Sequence, residues 1–178
     1  MLQRMQLGEW KEFYGLEGTA SATLLGLLFV AVALNADLIL AGGRTQTKIR
    51  AEQAFQNYVA VLFISQILLF PRLPQEFASV SLVTQGTVMI VYSFVRLIQT
   101  AKVTEPSSDR IHGWRRMISS LVAYGFIIFG AERMMHQNDD LVFYCVGFGT
   151  IFLLLSATLS SWELLIRVAE LRHRVSRQ

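Results

Sequence analysis

One cysteine, three histidines and three prolines in 178 residues leave this chain few of the groups that staple folds, hold metals or build nucleophiles. With Cys145 alone, no intrachain disulfide can form and no redox compartment can be inferred. Lying inside an apolar run, Cys145 reads as packing in a core or against lipid. His112, His136 and His173 fall in separate polar segments with no metal-ligand or nucleophile partner at a telling spacing, and they read as solvated. The H-E-x-x-H, G-x-S-x-G and C-x-x-C motifs and a phosphate-binding glycine loop are all missing. No histidine or paired aspartate lies within an apolar run, as an intramembrane protease would require. Enzyme is therefore the class least expected, a lipid-acting one having only basic interfacial loops in its favour, and no cofactor or metal is expected.

Charge is scarce as well. Only 16% of residues are charged against 53% hydrophobic, and the mean hydropathy is +0.43, too apolar for a soluble domain of this size. The charges are clustered, and five runs contain none: Gly18 to Ala36, Gln53 to Pro71, Phe77 to Val95, Met117 to Ala131 and Leu141 to Trp162. A helix needs roughly 20 residues to cross about 30 Å of hydrocarbon. Four runs meet or approach that length. The fourth in sequence, Met117 to Ala131, needs Trp114 to Arg116 and Arg133 at the interfaces, their side chains reaching outward. Before the first run, Glu9, Glu12 and Glu17 outnumber Arg4 and Lys11, which is the wrong charge for a signal peptide. The first run is read as a retained span.

The expected fold is thus an all-α integral membrane bundle of about five transmembrane helices in a single domain, 1–178. Spans are predicted at about 18–36, 53–71, 77–95, 114–133 and 141–162, with an N-terminal interfacial helix and a cytoplasmic helical tail over 163–178. If all five runs cross, twelve of the sixteen basic residues fall on one side and four on the other. Positive charge collects in the cytoplasm, so the N-terminus is expected outside and the C-terminus inside. A four-span arrangement with the first run re-entrant fits the charges equally well; the uninterrupted apolar stretch Leu24 to Leu34 favours crossing. The short polar segments at Arg72 to Glu76, with Pro71 and Pro74, and at Glu132 to Asp140 predict two antiparallel helix pairs. Glu105 to Asp109, with Pro106, reads as a turn.

Several helix faces carry unusual side chains. Gly18, Ala22, Gly26 and Ala33 share one face of the first span, where backbones can approach closely, within the protomer or between protomers; Gly26 alone could also serve as a hinge. Ser81, Gln85, Tyr92 and Arg96 form a stripe on the third span, and Glu52, Gln56 and Gln66 form another on the second. Polar groups in hydrocarbon must turn to other helices or to water. Gln56, Gln66, Ser81, Gln85 and Tyr92 are therefore expected either to bond helices together or to line a narrow polar pathway. No Asp, Glu, Lys or Arg is read as lying mid-span, which disfavours a proton relay or ion-coupled pump.

Beyond the last span, Leu164, Val168, Leu171 and Val175 recur on one face. Opposite them, Glu163/Arg167 and Glu170/Arg174 are spaced as i,i+4 pairs. An apolar seam leaving a membrane needs a partner, either the same seam of a neighbouring subunit or the lipid surface, where Arg172, Arg174 and Arg177 would meet anionic headgroups. At the other end Leu2, Met5, Trp10, Phe13 and Leu16 share an arc with Tyr14 near its edge, the pattern of an interfacial anchor. Glu132, Asp139, Asp140 and His136 make one outer loop acidic. Arg96, Lys102, Arg110, Arg115 and Arg116 make the longest inner loop basic, a candidate contact for an anionic ligand such as a nucleotide, an oligonucleotide or a lipid headgroup. In an oligomer these loops would form rings of charge.

Phe13-Tyr14-Gly15-Leu16-Glu17-Gly18-Thr19-Ala20, running into Gly26-Leu27-Leu28-Phe29-Val30-Ala31 and Leu34-Asn35, resembles a set of small bacterial inner-membrane proteins of uncharacterised function. Ser161-Trp162-Glu163-Leu164-Leu165-Ile166 is similar to the way those proteins close. The resemblance implies five spans in a bacterial inner membrane and brings no activity or site residues. By analogy of architecture alone, small multispan proteins also act as membrane effectors of anti-phage defence opened by a cytoplasmic signal. The expected function is a homo-oligomeric channel or pore-forming effector, gated by an anionic ligand at the basic face. The alternative is an adaptor that modulates a larger membrane protein through the same surfaces.

Overall fold

The computed structural model describes residues 2–37, 46–101, 107–136 and 141–175; side chains are described for 10–37, 51–95, 98, 118–136 and 141–169. Among them the chain forms five α-helices and no strands: α1 (Leu2–Leu34), α2 (Gln46–Leu69), α3 (Gln75–Ala101), α4 (Ser107–His136) and α5 (Leu141–Val175). Each helix outruns its apolar stretch by a turn or more at one end. Once a backbone is helical, water-facing turns extend it at little cost.

Four helices hold a segment long and apolar enough to cross a membrane: Trp10–Leu34, Gln75–Val95, Ile118–His136 and Leu141–Ala169. α2 is not among them, and its position explains why. It packs against α1 and α5 and more lightly against α3. Between residues 51 and 69 only Phe55, Phe63 and Gln66 are exposed. A helix wrapped by others need not be apolar throughout, because its polar side chains meet protein rather than lipid.

Helices α2, α3, α4 and α5 close into a ring of neighbours, and α1 lies in the groove between α2 and α5. The expected α4/α5 hairpin is present and tightly packed. The expected α2/α3 pair is not: the two are joined by a tight turn but touch sparingly, and α3 packs chiefly on α4. In the turn, Pro71 precedes Arg72, whose φ of 60° is the left-handed conformation, and the Pro74 carbonyl accepts the Ala78 amide at 3.1 Å as α3 begins. This abrupt reversal lets the helices splay.

Glycines decide where helices meet closely. At Gly149 a Cβ would stand 2.6 Å from Ile127 Cγ1 and 2.9 Å from the Ala123 carbonyl oxygen, and at Gly130 3.1 Å from the Val142 carbonyl oxygen. These two seat α4 against α5, and Gly86 seats α3 against Ile128 of α4. Of the small-residue face expected on α1, only Gly18 packs within the protomer, its Cβ position 3.0 Å from Ser65 Cβ. Ala22, Gly26 and Ala33 are exposed, with nothing within 4 Å of Gly26. The core divides into a cluster around Tyr14, Ile64, Leu82, Tyr124, Ile127 and Leu153, and a second around Leu28, Ala54, Tyr58, Ala157 and Leu164.

Two expectations about the ends are corrected. The N-terminal segment is not a separate interfacial helix but the first turns of α1. Trp10 stacks on Phe143 with ring centroids 6.0 Å apart and meets Tyr144 edge-on at 4.9 Å, while Phe13 lies against Gly147. Leu16 is exposed, and the side chains of Leu2 and Met5 lie outside the described residues. The seam of α5 is not offered to a partner where it can be followed. Leu164 is 1% exposed and Val168 6%, both within the chain's own bundle. The side chains of Leu171 and Val175 lie outside the described residues. Along α5, Leu164 follows Ala157 and Ser160 on the face turned to α1 and α2, which claim it first.

Candidate functional site

The distinctive feature of the bundle is a lattice of side-chain hydrogen bonds that joins helix to helix at almost every contact. On α1, the Ser21 hydroxyl donates to the Tyr58 carbonyl of α2 at 2.7 Å, and the Tyr14 hydroxyl donates to the Phe143 carbonyl of α5 at 2.9 Å. Ser79 at the start of α3 donates to the Ala131 carbonyl of α4 at 2.6 Å, one level below Gln75, which donates to the Met134 carbonyl. Ser119 of α4 donates to Ser156 of α5 at 3.4 Å. The Tyr58 hydroxyl reaches Thr158 and Ser161 of α5 at 3.3 and 3.4 Å. Hydrophobic attraction cannot draw helices together in lipid, so packing and bonds of this kind must do so.

At the centre, α2 and α4 face each other diagonally across the ring. Asn57 bridges them: its amide nitrogen donates to Ser120 Oγ at 3.2 Å, and its carbonyl oxygen accepts the Tyr124 hydroxyl at 3.3 Å. All three residues are buried. Tyr124→Phe deletes one donor and orphans the Asn57 oxygen, so it is expected to lower stability by about 1 kcal/mol, within the range measured for hydrogen bonds between membrane helices. Asn57→Ala, which orphans both partners and leaves a void, should cost about 2 kcal/mol or more. Steric-trapping or detergent unfolding measures both; equal stability of wild type and Tyr124→Phe would refute the bridge.

The expected polar stripes are not brought together. Gln66 is exposed, Gln56, Ser81 and Tyr92 are half-buried, and Gln56, Gln66 and Ser81 make no hydrogen bond to one another or to Gln85. Gln85 acts as glue, its Nε2 donating to the Ala60 carbonyl of α2 at 3.1 Å. The inward polar line on α2 is instead Asn57, Tyr58 and Ser65. On the exposed surfaces, Thr19, Thr23, Thr84 and Thr87 turn their hydroxyls back onto the carbonyl four residues earlier, at 2.7 to 2.8 Å, which hides the polar group from an apolar surround.

An ionisable side chain was also missed. Glu17 is buried, at 6% exposure, inside the apolar stretch of α1, and one of its carboxyl oxygens receives the Thr150 hydroxyl of α5. It lies one residue before the charge-free run, so a boundary drawn at Gly18 left it out. Its place in the Phe13 to Ala20 segment was the available signal. Cys145 is a free, half-buried thiol whose Cβ packs toward Gly130. His136 is exposed, its ring nitrogen 3.1 Å from the Glu132 carbonyl. No group of three metal-ligating side chains occurs among the described residues. Lys102 and the side chains of Arg96, Arg110, Arg115, Arg116, His112 and His173 lie outside the described residues, as do Asp139 and Asp140.

No protein-family model, curated protein or solved structure matches the chain.

Proposed function

We propose that this chain is a five-span membrane protein without catalysis of its own, the subunit of a homo-oligomeric channel or pore-forming effector in a bacterial inner membrane. The observation that carries this reading is a division of labour among its faces. The protomer spends its buried polar groups on its own helix contacts, yet leaves Ala22, Gly26 and Ala33 of α1, with Thr19 and Thr23 beside them, exposed. Such a face suits close packing by another helix in lipid. Because Asn57, Ser120 and Tyr124 tie the centre of the ring together, a conducting path belongs between copies rather than through one.

In the bilayer, α2 crosses as the shielded fifth span, and the twelve-to-four division of basic residues sets the N-terminus outside. Arg96, Lys102, Arg110, Arg115 and Arg116 then face the cytoplasm, where an anionic ligand would hold or release the assembly. The two segments that resemble small bacterial inner-membrane proteins agree with that location.

The test is mass and flux together. In detergent the protein should run as an oligomer and in liposomes it should pass ions, while Gly26→Leu keeps its helix content but loses assembly and flux. A monomer without flux removes the channel reading and favours the adaptor, in which the same α1 face receives one helix of a larger membrane protein.

A further inference from the structure

We propose that Glu17 is a proton-binding site, held as the neutral acid between α1, α2 and α5, whose loss of the proton loosens α1 from the bundle. Only one of its carboxyl oxygens is bonded. Oε2 receives the hydroxyl of Thr150, which also points at the Gly147 carbonyl 2.8 Å away; Oε1 is buried without a partner. On the facing helix, Ser65 Oγ is likewise buried without a partner, 3.5 Å from where a Cβ on Gly18 would stand. Two orphaned oxygens thus flank one turn of α1.

No described lysine or arginine pairs with Glu17. A carboxylate in such a place must find a positive charge or water. A proton is the one cation that needs no shell of ligands, and the close approach of Gly18 to Ser65 leaves little room for a larger one. Among the described residues the titratable neighbour of Glu17 on its own helix is Tyr14, which lies near both Glu17 and Cys145 of α5, while Tyr58 of α2 commits its hydroxyl to Thr158 and Ser161 of α5. The Tyr14 hydroxyl is committed to the Phe143 carbonyl.

The position gives the proton a mechanical consequence. Among the described residues α1 packs chiefly on α2 and, more lightly, on α5. Near its N-terminal end its described hold on α5 consists of Trp10, Phe13, Tyr14 and Glu17, and farther along Leu28 packs with Ala157 and Leu164 of α5. A charge at Glu17 draws that end of α1 toward water, against the contacts of Trp10, Phe13 and Tyr14. The inference concerns the protomer and does not depend on whether the assembly conducts.

Infrared difference spectroscopy of the intact protein in lipid, wild type against Glu17→Gln, tests it. The expected result is a protonated-acid carbonyl band at neutral pH, absent in Glu17→Gln and lost on alkaline titration. In a Trp114→Phe, Trp162→Phe background, Trp10 emission should shift with the same midpoint, and that shift should vanish in Glu17→Gln. Thr150→Val, which removes the bond to Oε2, should move the band and keeps the test decisive if the glutamine variant fails to fold. A carboxylate at neutral pH would overturn the proposal. So would a band that responds to sodium at fixed pH, which would mark an alkali-cation site, and so would a Trp10 shift that survives in Glu17→Gln.

Discussion

Gly149→Ala is expected to destabilise the bundle by about 1 to 3 kcal/mol, the usual cost of an added methyl group in a packed core, and Gly149→Leu to abolish the fold. The added Cβ would meet Ile127 Cγ1 at 2.6 Å and the Ala123 carbonyl oxygen at 2.9 Å. The first neighbour is a side chain and can be trimmed; the second is backbone and cannot. Ile127→Val should therefore restore only part of the loss in the double variant. Unfolding in mixed micelles measures all three proteins. A Gly149→Ala protein as stable as wild type would mean that α4 and α5 do not approach as closely as described.

Leu164→Ala is expected to cost about 2 to 5 kcal/mol, the range for emptying a buried leucine site, because Leu164 is 1% exposed among Leu28, Ala54, Tyr58 and Ala157. Ile166→Ala, two residues on and exposed, should cost little. The comparison separates the two roles open to this part of α5. If Leu164 belonged to a seam between subunits, its truncation would shift the oligomer mass and spare the stability of the protomer. As a core residue it does the reverse. Measuring unfolding and detergent mass on the same samples reads both.

The helices themselves were legible, because absence of charge over a bilayer's width is a strong and local signal. What escaped were features that belong to pairs of helices. Gly147 and Gly149 differ by two residues, about 200° around a helix, so one faces Trp10 and Phe13 on α1 while the other receives α4. No spacing rule within one helix marks either. On α2, the stripe through Glu52 and Gln56 lies about 150° around the helix from the inward line through Ala54, Asn57, Val61 and Leu68, on nearly the opposite side. With apolar residues on every side of the helix, hydrophobic periodicity could not choose between them. On α5, Leu164 and Val168 have the spacing of an intersubunit seam, but the same spacing serves a core when α1 and α2 lie beside it. Glu17 was lost to a one-residue boundary.

The polar lattice changes how the amides and hydroxyls are understood. Asn57, Ser120 and Tyr124 close the middle of the ring, and Gln85 ties α3 to α2. In the proposed assembly, any path for ions would then lie between copies, at the exposed small residues of α1. The lattice also gives α1 two distinct faces, one bonded to α2 and α5 through Ser21, Tyr14 and Glu17, the other open.

The central claim is that all five helices cross a membrane, with α1 a full span and α2 the shielded one. In a Cys145→Ser background, single cysteines at Lys11, Glu76 and Ser176 can be treated with a membrane-impermeant maleimide in intact bacterial cells. Five spans with the N-terminus outside predict that Lys11→Cys and Glu76→Cys label directly and Ser176→Cys labels only after permeabilisation. Protection of Lys11→Cys together with Ser176→Cys would instead place both ends on one side and contradict the five-span account.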